Sequence, residues 1–284
     1  MALARHGDGP RAAVAALASQ VHPVFMLPPV AASGFGGLLS GDFALAPGLL
    51  HGAVVFAGLY TAHVKDGYVD FHVRGEDDDH PLTARGCGVA IGLATATFVA
   101  CLAGVWLTAG PLAAALTAPG WVIGYLHAPQ LDLHPVTATA GYPSGIALAL
   151  LGGFAAQAGT LTPRVVAFAA VLLVVVAGIK VIDDAQDYAY DRSIGKRTVA
   201  VVLGVSRARR VAHGLLGAGL LAVVGLSAAG LFPPSTVAAA AVFSVVAVIA
   251  RGAGPKRATM LLVRGSYLFL AVLLATTWTA PLGG

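Results

Sequence analysis

The sequence predicts an all-helical protein that spans a membrane about nine times, with its helices ranged around a central cavity. Three observations carry that prediction. Of 284 residues, 57% are apolar and 11% are charged, with a mean hydropathy of +0.82. A soluble domain carries about 25% charged residues, so this chain could not cover a soluble surface, and disorder is excluded for the same reason. The apolar residues also gather into runs of crossing length, and the charges between those runs collect on one side.

A helix needs about 20 apolar residues to cross a bilayer. In chain order such runs lie at 20–40, 43–63, 87–108, 111–127, 141–160, 163–182, 209–231, 235–251 and 262–281. The first contains Pro28-Pro29, which membrane helices tolerate better than soluble ones. Charged segments follow the second, fourth, sixth and eighth runs, while the alternate loops are short and nearly uncharged. No composition shift divides the chain, so residues 1–284 read as a single transmembrane domain.

With the N-terminus inside, every one of the 17 Lys and Arg residues except Arg164 falls on the inner side. By the positive-inside rule this orients the chain in a cell membrane, with its N-terminus and charged face cytoplasmic. The net charge of +4 is thus a sidedness signal rather than a mark of nucleic-acid binding. Asp and Glu contribute little to topology, yet of the 13 acids only Asp42 lies outside. The two cysteines, Cys87 and Cys101, share one apolar stretch and make no disulfide framework.

Most of the acids sit in two segments. The second reads KVIDDAQDYAYDRSIGKRT from Lys180. Asp183, Asp187 and Asp191 are four apart, so a helix continuing from the sixth run sets them along one stripe. Like charges at that spacing repel, and a cation resolves the conflict. Mg2+ suits such a stripe because it takes a few carboxylates and keeps other positions for water and phosphate oxygens. Lys180, Arg192, Lys196 and Arg197 flank the stripe and suit an anionic partner.

The first segment reads HVKDGYVDFHVRGEDDDHPL from His63. Asp66 and Asp70 are again four apart, Arg74 continues the stripe, and the cluster Glu76, Asp77, Asp78 and Asp79 follows. Two acidic stripes on one face suggest a shared cavity in which two metals clamp one diphosphate.

The two segments resemble the UbiA superfamily of intramembrane prenyltransferases, which carries an NxxxDxxxD motif after helix two and a DxxxDxxxD-type motif after helix six. Asp183, Asp187 and Asp191 fall at the spacing of the second motif. Gly195-Lys196-Arg197-Thr198 and Leu203-Gly204 match its GKRT…LG tail. In the first motif Asp70 matches, Asp66 stands in place of Asn, and Arg74 takes the third acidic position, which Arg74 or the Glu76–Asp79 cluster completes.

The resemblance implies Mg2+-dependent transfer of a prenyl group from a prenyl diphosphate to an apolar acceptor, such as a quinone precursor, ether lipid or carotenoid. It implies Asp66, Asp70, Asp183, Asp187 and Asp191 as catalytic metal ligands, with Lys180, Arg74, Lys196 and Arg197 on the diphosphate. The alternative is a transporter or channel using the acidic stripes as an ion path, but the charges stop at one face. The sequence leaves acceptor and donor length open.

Overall fold

The computed structural model describes residues 2–279. Among them the regular structure is helical, apart from one isolated bridge between Ala4 and Leu82. The α-helices are α1 Gly9–Ala18, α2 Pro23–Leu38, α3 Leu45–Gly67, α4 Ala84–Ala109, α5 Pro111–Leu126 and α6 Pro135–Ala158. They continue as α7 Pro163–Gln186, α8 Tyr188–Ser193, α9 Val199–Leu203, α10 Val205–Ala228, α11 Val237–Arg251 and α12 Pro255–Thr279. A π-helical turn, Tyr68–Arg74, prolongs α3.

Each apolar run read from the sequence corresponds to one long helix: α2 to α7 and α10 to α12. Seven helices are long and apolar enough to cross a membrane on their own. Helix α2 passes that test only together with α1, which meets it at 65°, and α5 is apolar but has only 16 residues. The protein is therefore an integral membrane protein. The fifth run starts earlier than expected, at Pro135, because the His134 ring accepts from the Val136 N–H and caps the helix there. The sixth extends to Gln186, which carries its first two acids on the helix. The expected end of the last run at 281 lies outside the described residues.

Helices α6 and α7 form the centre: 67% and 61% of their spans are buried, against 22–33% for the other crossing helices. Helix α6 packs against α2, α5 and α7, while α7 packs against α10. Aromatic rings fill the layer between them, with Phe168 stacked on Phe232 at 3.9 Å and meeting Phe35 edge-on at 5.5 Å. The outer helices present apolar side chains outward, including Leu107, Leu221 and Val248, as a lipid-facing surface requires.

Small residues let α2 and α6 approach, as they do at membrane helix interfaces. A Cβ added at Gly153 would lie 2.1 Å from the Ser33 carbonyl oxygen, and one at Gly36 would lie 2.0 Å from that of Leu150. Both obstacles are backbone and cannot yield. Gly153→Val is accordingly expected to separate the two helices and cost about 2–3 kcal/mol, read as a lower unfolding temperature of the detergent-solubilised protein. An unchanged temperature would show that the interface relaxes.

Candidate active site

A cavity of about 740 Å³ opens among α2, α3, α5, α6, α7 and α12. Each helix contributes one face. On α3 the lining residues include Val54, Gly58, Ala62 and Asp66, one per turn, and on α7 they include Leu172, Val176, Ile179 and Asp183. The lining is apolar along most of the depth and acidic at one end, because both α3 and α7 deliver their C-terminal turns there.

The first acidic segment does not continue as a regular α-helix. The chain widens into the π-helical turn, which ends at Gly75 with φ +65°, a left-handed conformation favouring glycine. The Glu76 N–H then bonds back to the Asp70 carbonyl at 2.7 Å. Asp66 and Asp70 both line the cavity, as do Asp77 and Asp79 from the following loop. The N-terminal segment holds that loop in place. Arg5 donates to Asp79 at 2.8 Å and lies 4.3 Å over the Phe71 ring, and its backbone N–H bonds to the Pro81 carbonyl.

In the second segment the expected continuous helix bends at Asp187, which has φ −95° and ψ 14° between α7 and α8. The bend keeps the Asp191 N–H bonded to the Asp187 carbonyl at 2.8 Å, so the stripe survives. Asp183, Asp184, Asp187 and Asp191 all line the cavity. The Lys180 ammonium donates to Asp184 and lies 3.8 Å from Asp183. Asp184 is buried, and its Oδ2 has no hydrogen-bond partner among the described residues. Burial raises the Asp191 carboxyl to about 6, an effect that the Lys196 ammonium opposes.

The two segments are tied together by residues that spacing alone could not pair. The Arg74 guanidinium lies 3.5 Å from Asp70, 3.5 Å from Glu76 and 3.6 Å from Asp132. The Tyr190 hydroxyl on α8 donates to Glu76. Lys196 lies 3.9 Å from Asp132, whose carbonyl accepts the Arg197 N–H at 2.8 Å. A belt therefore runs from Tyr190 through Glu76, Arg74 and Asp132 to Lys196. Asp132, in the loop joining α5 to α6, is buried and lines the cavity, and burial raises its carboxyl above the usual range.

Of the residues expected from the sequence, Asp66, Asp70, Asp183, Asp187, Asp191, Lys180 and Lys196 meet at this end of the cavity. Arg74 and Arg197 are not among the residues lining the cavity. Arg74 is spent on three carboxylates beside the cavity, and the Arg197 side chain is exposed and absent from the lining. The sequence reading missed Asp132, Asp184 and Tyr190 as site residues. Asp184 was within reach of that reading, being adjacent to Asp183 and one turn from Lys180.

The donors gathered here are oxygens from several carboxylates, one of them buried without a partner. Such a set fits a hard divalent cation such as Mg2+, which prefers carboxylate and phosphate oxygen. The nearby ammonium groups of Lys180 and Lys196 fit a multiply charged anion. The long apolar chamber below fits a hydrocarbon.

The comparisons with known proteins agree with this arrangement. No curated protein sequence matches the chain. Among solved structures, an apo UbiA homologue from Aeropyrum pernix K1 superposes with a TM-score of 0.70 at 19% identity, covering 90% of this chain and 98% of that one. A UbiA homologue from Archaeoglobus fulgidus bound to GPP and Mg2+ gives 0.65 at 18% identity, covering 94% and 100%. A structure from work on digeranylgeranylglyceryl phosphate synthase in membranes gives 0.68 at 13% identity, covering 93% and 98%. At these identities the likeness is one of fold. The model of the UbiA prenyltransferase family matches residues 66–273, a stretch that begins at the first cavity aspartate and includes both acidic segments. The chain belongs to the UbiA prenyltransferase family.

Proposed function

We propose that this prenyltransferase binds the diphosphate of a prenyl donor, together with Mg2+, between Asp66 and Asp70 on one side and Asp183, Asp187 and Asp191 on the other. The donor's hydrocarbon lies in the apolar chamber, and an apolar acceptor such as a quinone precursor, ether lipid or carotenoid receives the prenyl group. The observation that carries this reading is the cavity itself, acidic at one end and apolar along the rest. The Archaeoglobus homologue bound to GPP and Mg2+ supports it. The whole chain, 1–284, acts as one unit, with the acidic end on the cytoplasmic side in keeping with the Lys and Arg distribution.

The chemistry asks three things of the protein's own residues. The carboxylates must hold the cations that neutralise the diphosphate as the allylic C–O bond breaks. Lys180 and Lys196 must add positive charge where negative charge develops on the leaving group. The apolar walls must keep water from the allylic cation until the acceptor's electrons close the new bond. The ion-path reading has little support here, since the charged lining residues gather at one end of the cavity.

The test is diphosphate release from a prenyl diphosphate by purified protein in membranes, with product mass identifying the acceptor. Release is expected to disappear on chelation with EDTA and to return when Mg2+ is restored. Activity that is indifferent to EDTA would overturn the metal assignment.

A further inference from the structure

Beside the carboxylates lies a second group of metal-binding side chains, of different chemistry. His72 from the π-helical turn, His80 from the loop that follows and Cys87 from the first turn of α4 each place one ligand atom within 4.8 Å of the other two. Of the three only His80 also lines the cavity. Cys87 is a free thiol with 0% exposure and His80 is 4% exposed, while His72 is half-buried and keeps contact with the surroundings.

Their atoms converge on one carbonyl. The Leu82 oxygen lies 3.1 Å from His72 Nε2 and 3.1 Å from His80 Nδ1, and Cys87 Sγ lies 3.9 Å from the same Nδ1. A tetrahedral zinc ion, with bonds of about 2.0–2.1 Å to nitrogen and about 2.3 Å to sulfur, sets its ligand atoms about 3.3–3.6 Å apart. The three side chains need to close by little more than about 1 Å to reach that geometry, with the Leu82 oxygen at the fourth position. The backbone beneath them is fixed. Leu82 bridges to Ala4, the Arg5 N–H bonds to the Pro81 carbonyl at 2.9 Å, and the Thr83 N–H bonds to the Leu3 carbonyl at 2.9 Å.

The His80 ring is left unsatisfied by the protein's own groups. Its Nδ1 faces the Leu82 carbonyl at 3.1 Å and the Leu82 N–H at 3.2 Å, and one nitrogen cannot donate and accept at once. Its Nε2 is buried with no hydrogen-bond partner among the described residues. Whichever nitrogen carries the proton, one polar atom of a buried ring lacks a partner. A cation bound at Nδ1 removes the conflict at that atom.

A thiolate with two imidazoles is a softer set than the carboxylates of the cavity, and it favours Zn2+ over Mg2+. We propose that His72, His80 and Cys87 form a Zn2+ site separate from the acidic end, which pins the turn carrying Asp70 to the start of α4. Cys87 binds as the thiolate, its proton passing to water. The site stands whether or not the prenyl-diphosphate reading holds.

The experiment uses Co2+ as the probe, added to the detergent-purified full chain under reducing conditions, with excess Mg2+ to occupy the carboxylates. A cobalt–thiolate bond absorbs in the near ultraviolet by charge transfer, and carboxylate-bound cobalt does not. The band is expected in the wild type, lost when Zn2+ is added, and absent from Cys87→Ser. Cys101 lies 14 residues further along α4, about 21 Å away, so Cys101→Ser should keep the band. His72→Gln should weaken Co2+ binding by about tenfold or more. Zn2+ should raise the unfolding temperature of the wild type and leave that of Cys87→Ser unchanged.

A wild type without the band would overturn the proposal, as would a band that survives Cys87→Ser or disappears in Cys101→Ser. Full Co2+ affinity in His72→Gln would do the same. Should Cys87→Ser fail to fold, the wild-type band, its displacement by Zn2+ and the His72→Gln affinity decide the question.

Discussion

Replacing Asp187 by Ala is expected to lower Mg2+-dependent diphosphate release by about 10³-fold, equivalent to about 4 kcal/mol of transition-state stabilisation. The size follows from where charge appears. In the proposed reaction, breaking the allylic C–O bond leaves the full leaving-group charge on the diphosphate, and the carboxylates would hold the cations that meet it. Asp187 isolates this effect from folding. Its side chain is exposed, and its recorded contact is a 3.4 Å hydrogen bond from the adjacent Gln186. Its structural part is played by its carbonyl, which accepts the Asp191 N–H across the bend and which Ala retains. Unfolding temperature should therefore stay near wild type, with stability changed by no more than about 0.5 kcal/mol. Near-normal release by this variant would remove Asp187 from the site.

The second large effect is on stability. Arg74 sits among three carboxylates, Asp70, Glu76 and Asp132, at 3.5–3.6 Å, with its side chain 15% exposed. Removing one partner of a largely buried ion-pair cluster leaves uncompensated charge and costs about 3–5 kcal/mol. Arg74→Met should accordingly lower the unfolding temperature by roughly 10 °C, at about 2–4 °C per kcal/mol for a chain of this size. A diphosphate ligand would behave differently, weakening donor binding while leaving the unfolding temperature alone. If Arg74→Met unfolds like wild type but loses donor affinity, Arg74 belongs with Lys180 and Lys196 on the substrate. Asp132→Asn keeps the shape and removes the charge that Arg74 and Lys196 share, so it should reproduce a smaller part of the loss.

The acidic segments were legible because their geometry is local. Asp66 and Asp70, and Asp183, Asp187 and Asp191, recur at one helical turn, and that period survives both the π-helical turn at Tyr68–Arg74 and the bend at Asp187. A local distortion shifts a stripe without dispersing it. The ion pairs of Arg74 were not legible for the opposite reason. Its continuation of the Asp66–Asp70 stripe suggested a substrate contact, whereas its partners include Asp132, which reaches it only through the loop between α5 and α6. The Tyr190–Glu76 bond likewise joins residues whose sequence neighbourhoods give no sign of each other.

By itself the sequence determined the class of the protein and that its charges gather together at one end of the helices. Both follow from transfer free energies summed along the chain: apolar runs of bilayer length enter lipid, and charged residues stay out of it. The tertiary structure decided which charged groups line the cavity and which pair with each other. Those outcomes depend on helix faces brought together from distant segments. The close approach of α2 and α6 at Gly36 and Gly153, and the hydrogen bonds that link Ser33, His51 and Thr117, exist only once the bundle has closed.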